Sequence, residues 1–455
     1  MGNGDQRARG IGHSSLLFAN GLMVSAVLLC LVYLSSGSFS FAFVVALGVA
    51  GPIVLLKLYN RPVYILYLLL FLVPLHGFMV KLGFSGVLSY WKEILLIVGA
   101  FFVLLRSFAH LKFGRLDLLI ICFVVYTGAR AVLADDIVTG LSGLLFYTLY
   151  TLVYFMTSTM IRSEKRINTA LQVVVAASVA LAIGGICQSV FNHELFMTGV
   201  VEAKRFGYTR ASFSVGSSIV FGGYLATASS IPLARLLVGK SRTWSRLIVL
   251  ATLYGAIVLS FTRVAWAQVL VILVVQLTVF LRLRVFKTKV ILLLNALLGF
   301  VAIGFVLSGE TYFEFFEAGI LDRLDTWLLA IRRVGVHPLF GQDPGTTIWA
   351  INAKSSTNVF VTESYLVQIG LELGLVGLFL YLAIIWCSVA TTFRSIKKTP
   401  TGCYQHMMYK IAIVSALLGL LFNMLFAQSM NAWVVNMMFW FLVGLVRTIS
   451  RLDAR

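Results

Sequence analysis

Four residues in this chain carry charge where hydrophobic sequence surrounds them. Arg210 lies in RFGYTRASFSVGSS, Arg263 in VLSFTRVAWAQVLV, Arg323 in AGILDRLDTWLLAIRRVGVHPLFG, and Glu363 opens ESYLVQIGLELGLVGLFLYL. An ion in hydrocarbon is costly, so each needs a partner or a task. A guanidinium presents a planar fork of donors that matches phosphate oxygens. Arginines from three separate stretches therefore outline an anion-binding site, with Lys204, Arg205, Arg332 and Arg333 as further cations. Taken singly, each arginine could instead snorkel to lipid headgroups. Glu363 has two readings. It caps the helix that follows, with Thr362 and Ser364 beside it, or it is a base or anchoring group in a site on the outer face. Glu372 reads as a structural carboxylate bonded within the bundle, about 13 Å deeper at 1.5 Å per residue.

The remaining reactive residues add little. His337, in GVHPLFGQDPG, is a turn histidine or a contact to the same ligand, and His193 stands in a loop with no partner visible. No Walker loop and no carboxylate cluster of metal-binding spacing is present, so neither a metal nor a cofactor is expected, and arginine would neutralise any phosphate. Cys30, Cys122, Cys187, Cys387 and Cys403 stand singly without a CxxC pair, which argues against a disulfide framework.

The elements that must position these residues are apolar. The chain has 455 residues, 60% hydrophobic and 12% charged, against about 25% charge in soluble domains. The net charge of +19 would suggest nucleic acid in a soluble protein. In a polytopic membrane protein it belongs to basic loops on one side, and no nucleic-acid partner is expected. Spans need about 20 apolar residues. Fourteen stretches qualify, roughly 15–35, 40–56, 62–76, 89–105, 116–133, 140–160, 168–190, 214–236, 246–261, 264–282, 290–308, 364–388, 407–426 and 433–448. The shorter ones and the close 246–282 pair allow a count of 12. The expected fold is all-α, a bundle of 12–14 transmembrane helices forming one integral membrane domain over 1–455. Alternating the spans from an inside N-terminus puts 25 of the 36 lysines and arginines inside, so both termini are predicted to be cytoplasmic.

One outer segment, about 309–363, is too long for a connector. Within it Leu321, Leu324, Trp327, Leu328 and Ile331 recur at helical period, which predicts an amphipathic helix along the membrane–water interface. Gly335, Pro338, Gly341, Pro344 and Gly345 then make turns. Downstream, Glu363, Gly370, Gly374 and Gly377 fall on one face of a continuous helix, a glycine stripe that would let another helix approach.

Three stretches together resemble the bacterial O-antigen ligase and polymerase superfamily of integral membrane glycosyltransferases. They are YTRASFSVGSSIVFGGYLATA, SFTRVAWAQVLV, and RLDTWLLAIRRVGVHPLFGQDPG followed by TESYLVQIGLELGLVGLFLYL, covering roughly residues 205–385. Ligases of this superfamily tend to carry histidine where this chain has Glu363-Ser364, so the resemblance favours a polymerase. It implies transfer of a growing glycan from undecaprenyl diphosphate onto a second lipid-linked repeat unit, at the periplasmic face of a bacterial inner membrane. Arg210, Arg263 and Arg323 would hold the diphosphate, and Glu363 would take the acceptor's proton. Lys204, Arg205, Arg332, Arg333 and His337 would contact substrate, and Tyr365 would be among the outer aromatic residues able to stack on sugar. The implied partners are the donor and acceptor glycolipids, membrane lipids and a polysaccharide chain-length regulator. The alternatives are a ligase acting on lipid A–core and a lipid-linked oligosaccharide flippase; the flippase is disfavoured by the missing internal repeat.

Overall fold

The computed structural model describes residues 61–83, 89–107, 113–191, 208–238, 243–282, 326–347, 362–400 and 404–454. The expected spans 15–35, 40–56 and 290–308 lie outside these residues, as do His193, Lys204, Arg205 and Arg323. The protein is an all-α, multi-pass membrane bundle. Among the described residues, eight helices are long and apolar enough to cross a membrane. In chain order the helices are α1 (Val63–Lys81), α2 (Trp91–Ser107), α3 (Arg115–Val132), α4 (Ile137–Met160) and α5 (Glu164–Phe191). They continue with α6 (Ser218–Val238), α7 (Thr243–Leu259), α8 (Arg263–Arg282), α9 (Tyr365–Lys398), α10 (Tyr404–Phe426) and α11 (Trp433–Leu452). Each matches an apolar stretch expected from sequence. The close 246–282 pair is two helices, α7 and α8, joined by a tight turn at 260–262.

Helix α6 lies at the centre and is buried along nearly its whole length. Its sequence, SIVFGGYLATASSIPLARLLV, explains the position. Lipid tails are as apolar as leucine, so helices in a membrane associate through close packing and internal hydrogen bonds. Small residues supply the first: a side chain added at Gly222 would lie 2.8 Å from the Ala265 methyl. Polar residues supply the second. Gln268 donates to the Thr227 hydroxyl at 2.8 Å and accepts from Asn423 at 2.8 Å. Gln276 donates to the Ser230 carbonyl at 2.8 Å and the Ser415 hydroxyl at 2.9 Å. These amides sew α6, α8 and α10 together where no water competes.

One end of the bundle gathers basic side chains. Arg447 pairs with Asp117 at 2.7 Å, Lys410 with Asp453 at 2.8 Å, and His406 contacts Glu164 at 2.7 Å. Arg235 donates to Asn168 at 2.6 Å, and Arg451 to the Ser158 carbonyl at 2.9 Å. These residues come from segments that sequence placed together on the inner side. At the opposite end Arg130, at the end of α3, pairs with Asp343 at 3.0 Å.

One expectation needs correction. Helix α9 is not continuous: Gly374 has φ 68° and ψ −173°, which breaks the helix in its first third. The glycine stripe is therefore not a helix–helix seam, and Glu363, which precedes α9, shares no helical face with it. What approaches Gly374 closely is loop backbone, because a Cβ there would sit 2.3 Å from the Leu339 carbonyl oxygen. The turn after the loop helix enters the break. Gln342 N–H donates to the Leu371 carbonyl at 2.8 Å, and Leu375 N–H donates to the Pro338 carbonyl at 2.8 Å. Tyr126 donates to the Leu373 carbonyl at 2.6 Å. Helical bonds lost at the break are thus replaced, as buried backbone requires.

The loop helix spans 326–334 among the described residues. Trp327 packs on Phe426 at 5.7 Å between ring centroids and Ala330 is fully buried, so the inner face is Trp327 and Ala330. Leu328 and Ile331 are 56% and 60% exposed, as apolar residues of a helix lying along a membrane surface would be. The small Ala330 lets the helix seat closely, and this fixes a rotation that periodicity alone leaves open.

Candidate functional site

At the end opposite the basic cluster, four loop segments and the ends of α6, α8 and α10 enclose a hollow of about 240 Å³. Arg210, Arg263, Glu363 and Gln428 line it, with Phe261, Thr262 and Phe426 among the walls. Residues from four separate stretches of sequence meet here.

Arg210 is held from below by the α7–α8 turn. Its Nε donates to the Ser260 carbonyl at 3.1 Å and its Nη2 to the Thr262 hydroxyl at 3.4 Å, while Ala211 N–H donates to the Leu259 carbonyl at 2.9 Å. One backbone bond and two side-chain bonds thus tie Arg210 and its neighbour to the same turn. Arg263 is the first residue of α8. A cation there opposes the helix dipole, at a cost of about 0.3–1 kcal/mol. It also lies beside a second guanidinium on the same hollow. Neither feature helps the helix; both favour negative charge in the hollow, which the Glu363 carboxylate also lines.

Glu363 precedes α9 in a left-handed conformation, with φ 50°. The capping position belongs instead to Ser364, whose hydroxyl accepts from Val367 N–H at 3.4 Å and donates to the Met424 carbonyl at 3.1 Å. Tyr365 N–H donates to the Ala427 carbonyl at 3.2 Å, and Gln428 donates to the Thr362 hydroxyl at 2.5 Å. Glu363 is thus held between two anchored neighbours while its side chain lines the hollow. Three described residues other than glycine have positive φ, namely Ser214, Phe261 and Glu363. Two line the hollow and the third closes the turn after Arg210. Such backbone costs on the order of 1–3 kcal/mol each and gathers where function demands a fixed geometry.

The other expected contacts lie elsewhere. Arg332, Arg333 and His337 are exposed on the loop and do not line the hollow. The loop reaches it through Trp327, which packs on the lining residue Phe426. Tyr365 is only 1% exposed, with its ring 6.3 Å from Tyr147 and 5.8 Å from Tyr381. The ring is packed among these tyrosines inside the bundle, where no sugar could stack on it. Glu372 is fully buried and bonded as expected. It accepts from Tyr147 at 2.9 Å, from Gly345 N–H at 2.7 Å, and from both N–H (3.0 Å) and hydroxyl of Thr347.

Sequence reasoning passed over Gln428. It also donates to Gln368 Oε1 at 3.3 Å, and Gln368 in turn donates to Tyr147 at 3.4 Å, linking the hollow to the Glu372 cluster. The available signal was the polar stretch AQSMN between two apolar runs. Also unread was a buried group beside η1, Ser429–Asn431. There Lys92 pairs with Glu93 at 2.9 Å, contacts His76 Nε2 at 3.3 Å and lies 5.4 Å above the Trp433 ring. Among the described residues no group of three His, Cys, Asp or Glu side chains could hold a metal ion. No family model matches the chain, and comparison with curated proteins returns no match.

Proposed function

We propose that this protein is a glycosyltransferase that polymerises undecaprenyl-diphosphate-linked oligosaccharide repeat units into a surface polysaccharide. The observation that carries the reading is the meeting of Arg210, Arg263 and Glu363 around one hollow. A volume of about 240 Å³ is below the roughly 300–1,000 Å³ of whole-ligand pockets. It suits the reacting groups alone, with lipid tails and glycan lying outside.

The chemistry is a single displacement. The acceptor hydroxyl attacks the anomeric carbon of the donor sugar, and its proton passes to the Glu363 carboxylate. The bond from that carbon to the diphosphate oxygen breaks, and the lipid diphosphate leaves with the electron pair. Negative charge grows on the leaving oxygens, where the Arg210 and Arg263 guanidiniums stabilise it. Arg323 is the third proposed cation, and it lies outside the described residues. Donors fixed by the α7–α8 turn need no rearrangement as the charge develops. In this reading the membrane is a bacterial inner membrane, the basic end and both termini face the cytoplasm, and the hollow opens to the periplasm.

Purified protein given lipid-linked repeat units should yield a ladder of polymer with release of undecaprenyl diphosphate. Unchanged repeat units would remove the enzyme reading, and movement across vesicles without chemistry would replace it with a flippase. In a deletion strain the polymerase reading requires accumulation of single repeat units. Long chains retained on the carrier lipid would make the protein a ligase.

A further inference from the structure

A second, larger cavity lies at the basic end, far along the helices from the hollow. It has a volume of about 1200 Å³ and is formed where α1 begins, α2 ends, and α4 hands over to α5. Its rim carries Arg61, Arg162, Lys165 and Arg166, with no acidic side chain among the described residues that line it. Arg162 donates its Nε to the Thr159 carbonyl at 2.8 Å, and Arg166 donates Nη1 to the Met160 carbonyl at 2.8 Å. Both guanidiniums are therefore oriented by the last carbonyls of α4, each bond using one of five N–H donors. Tyr67 donates to the Arg166 carbonyl at 3.4 Å and forms part of the wall.

Below the rim the wall is apolar, with Val63, Phe102, Val103 and Met160. One exposed apolar stripe begins in its wall, at Tyr64, and another runs along α2. Tyr64, Leu68 and Phe71 follow one face of α1, and Ile94, Ile97 and Phe101 follow one face of α2. Cations above and continuous hydrocarbon-facing surface below match one kind of molecule: an amphiphile with a negative head and acyl tails. A soluble anion would use the rim and leave the stripes unmatched; a neutral lipid would match the stripes and bring no net charge to the rim.

We propose that this cavity is a specific site for an anionic diacyl phospholipid, its phosphate held by Arg61, Arg162, Lys165 and Arg166 and its acyl chains lying along α1 and α2. The basis is charge complementarity joined to the apolar stripes, and it does not depend on the glycosyltransferase reading. Juxtamembrane basic residues contribute about fivefold each to binding anionic lipid.

The test uses the full chain, purified in neutral detergent and stripped of lipid. Dioleoyl phosphatidylglycerol, dioleoyl phosphatidylcholine and inorganic phosphate are titrated separately, with binding read by native mass spectrometry and thermal unfolding. Phosphatidylglycerol should bind and raise the melting temperature, with phosphatidylcholine much weaker. R61Q/K165Q should bind phosphatidylglycerol about thirtyfold more weakly and leave the phosphatidylcholine response unchanged. The single K165Q variant, at an exposed position near the start of α5, keeps the test alive if the double variant fails to fold, with about fivefold expected. Equal binding of the two lipids, full selectivity in either variant, or stabilisation by inorganic phosphate matching that by phosphatidylglycerol would overturn the proposal.

Discussion

Gly345 N–H donates to the Glu372 carboxylate at 2.7 Å, and through this bond the loop that precedes α9 is fastened inside it. Thr347 and Tyr147 bond the same carboxylate. Arg130 adds contacts to the Gly341 and Gln342 carbonyls at 3.4 Å each and to Asp343 at 3.0 Å. The loop helix is thus held at one end by buried polar bonds and near the hollow by Trp327 on Phe426.

Removing the Glu372 carboxylate should loosen this fastening. Glu372→Ala leaves buried donors from Gly345, Thr347 and Tyr147 without their acceptor, and an unsatisfied buried donor costs about 1–3 kcal/mol. A loss of at least about 3 kcal/mol is expected in denaturant unfolding in detergent. Glu372→Gln, which keeps one acceptor oxygen, should lose less. Equal stability of wild type and Glu372→Ala would show that the bonds contribute nothing.

Gly374→Ala tests the break in α9. The pair φ 68°, ψ −173° is a conformation adopted almost solely by glycine, and the new methyl would meet the Leu339 carbonyl oxygen at 2.3 Å. Strain of this kind costs on the order of 1–3 kcal/mol before the clash is counted. A lower melting temperature and faster proteolysis of the 338–347 turn are expected. A more stable protein would mean that α9 prefers to run straight.

Arg210→Ala and Arg263→Ala should each reduce polymer formation about 10²–10³-fold, the effect of losing one preorganised donor. The protein should remain in the membrane in both cases, which immunoblotting of membrane fractions checks. Full-length polymer from both variants would end the phosphate assignment.

Glu363→Gln keeps size and hydrogen bonding but cannot accept a proton. Turnover should fall about 10²–10⁴-fold with little change in melting temperature, since Ser364 caps the helix. Wild-type turnover would remove Glu363 from the chemistry.

Asp136 gives a pH dependence. It sits just outside α4, and bonds from the Thr139 hydroxyl and Val138 N–H hold its carboxyl below the usual carboxylate range. The folded pKa therefore lies below the unfolded value of about 4. Its stabilisation is complete above the unfolded pKa and is lost as pH falls through the folded one. Unfolding measured from pH 6 to 3 should show Asp136→Asn losing less stability on acidification than wild type. Parallel curves would contradict the assignment.

Much of this was legible in the sequence because a membrane penalises error. A long, mostly apolar stretch such as the one in α5 must cross or be buried, and charge in hydrocarbon is so costly that Arg210, Arg263 and Glu363 announced themselves by position. Helix periodicity could not say more. Gly374 reads as one glycine in a stripe, because nothing local distinguishes a seam from a break; the backbone of Leu339 and Gly341, more than thirty residues earlier, decides it. Tyr365 reads as an aromatic at the doorway, yet its ring is packed among tyrosines inside the bundle. Gln428 reads as an ordinary amide in a connecting turn, and only the closing of α10 against α9 brings it to the hollow. Composition and one-dimensional charge determined the class of protein, its spans and its isolated ions, since transfer energies act residue by residue. The tertiary structure alone decided which ions share a cavity, where a helix yields to a loop and which carboxylate is a fastener, since those depend on groups that meet only after the chain has folded.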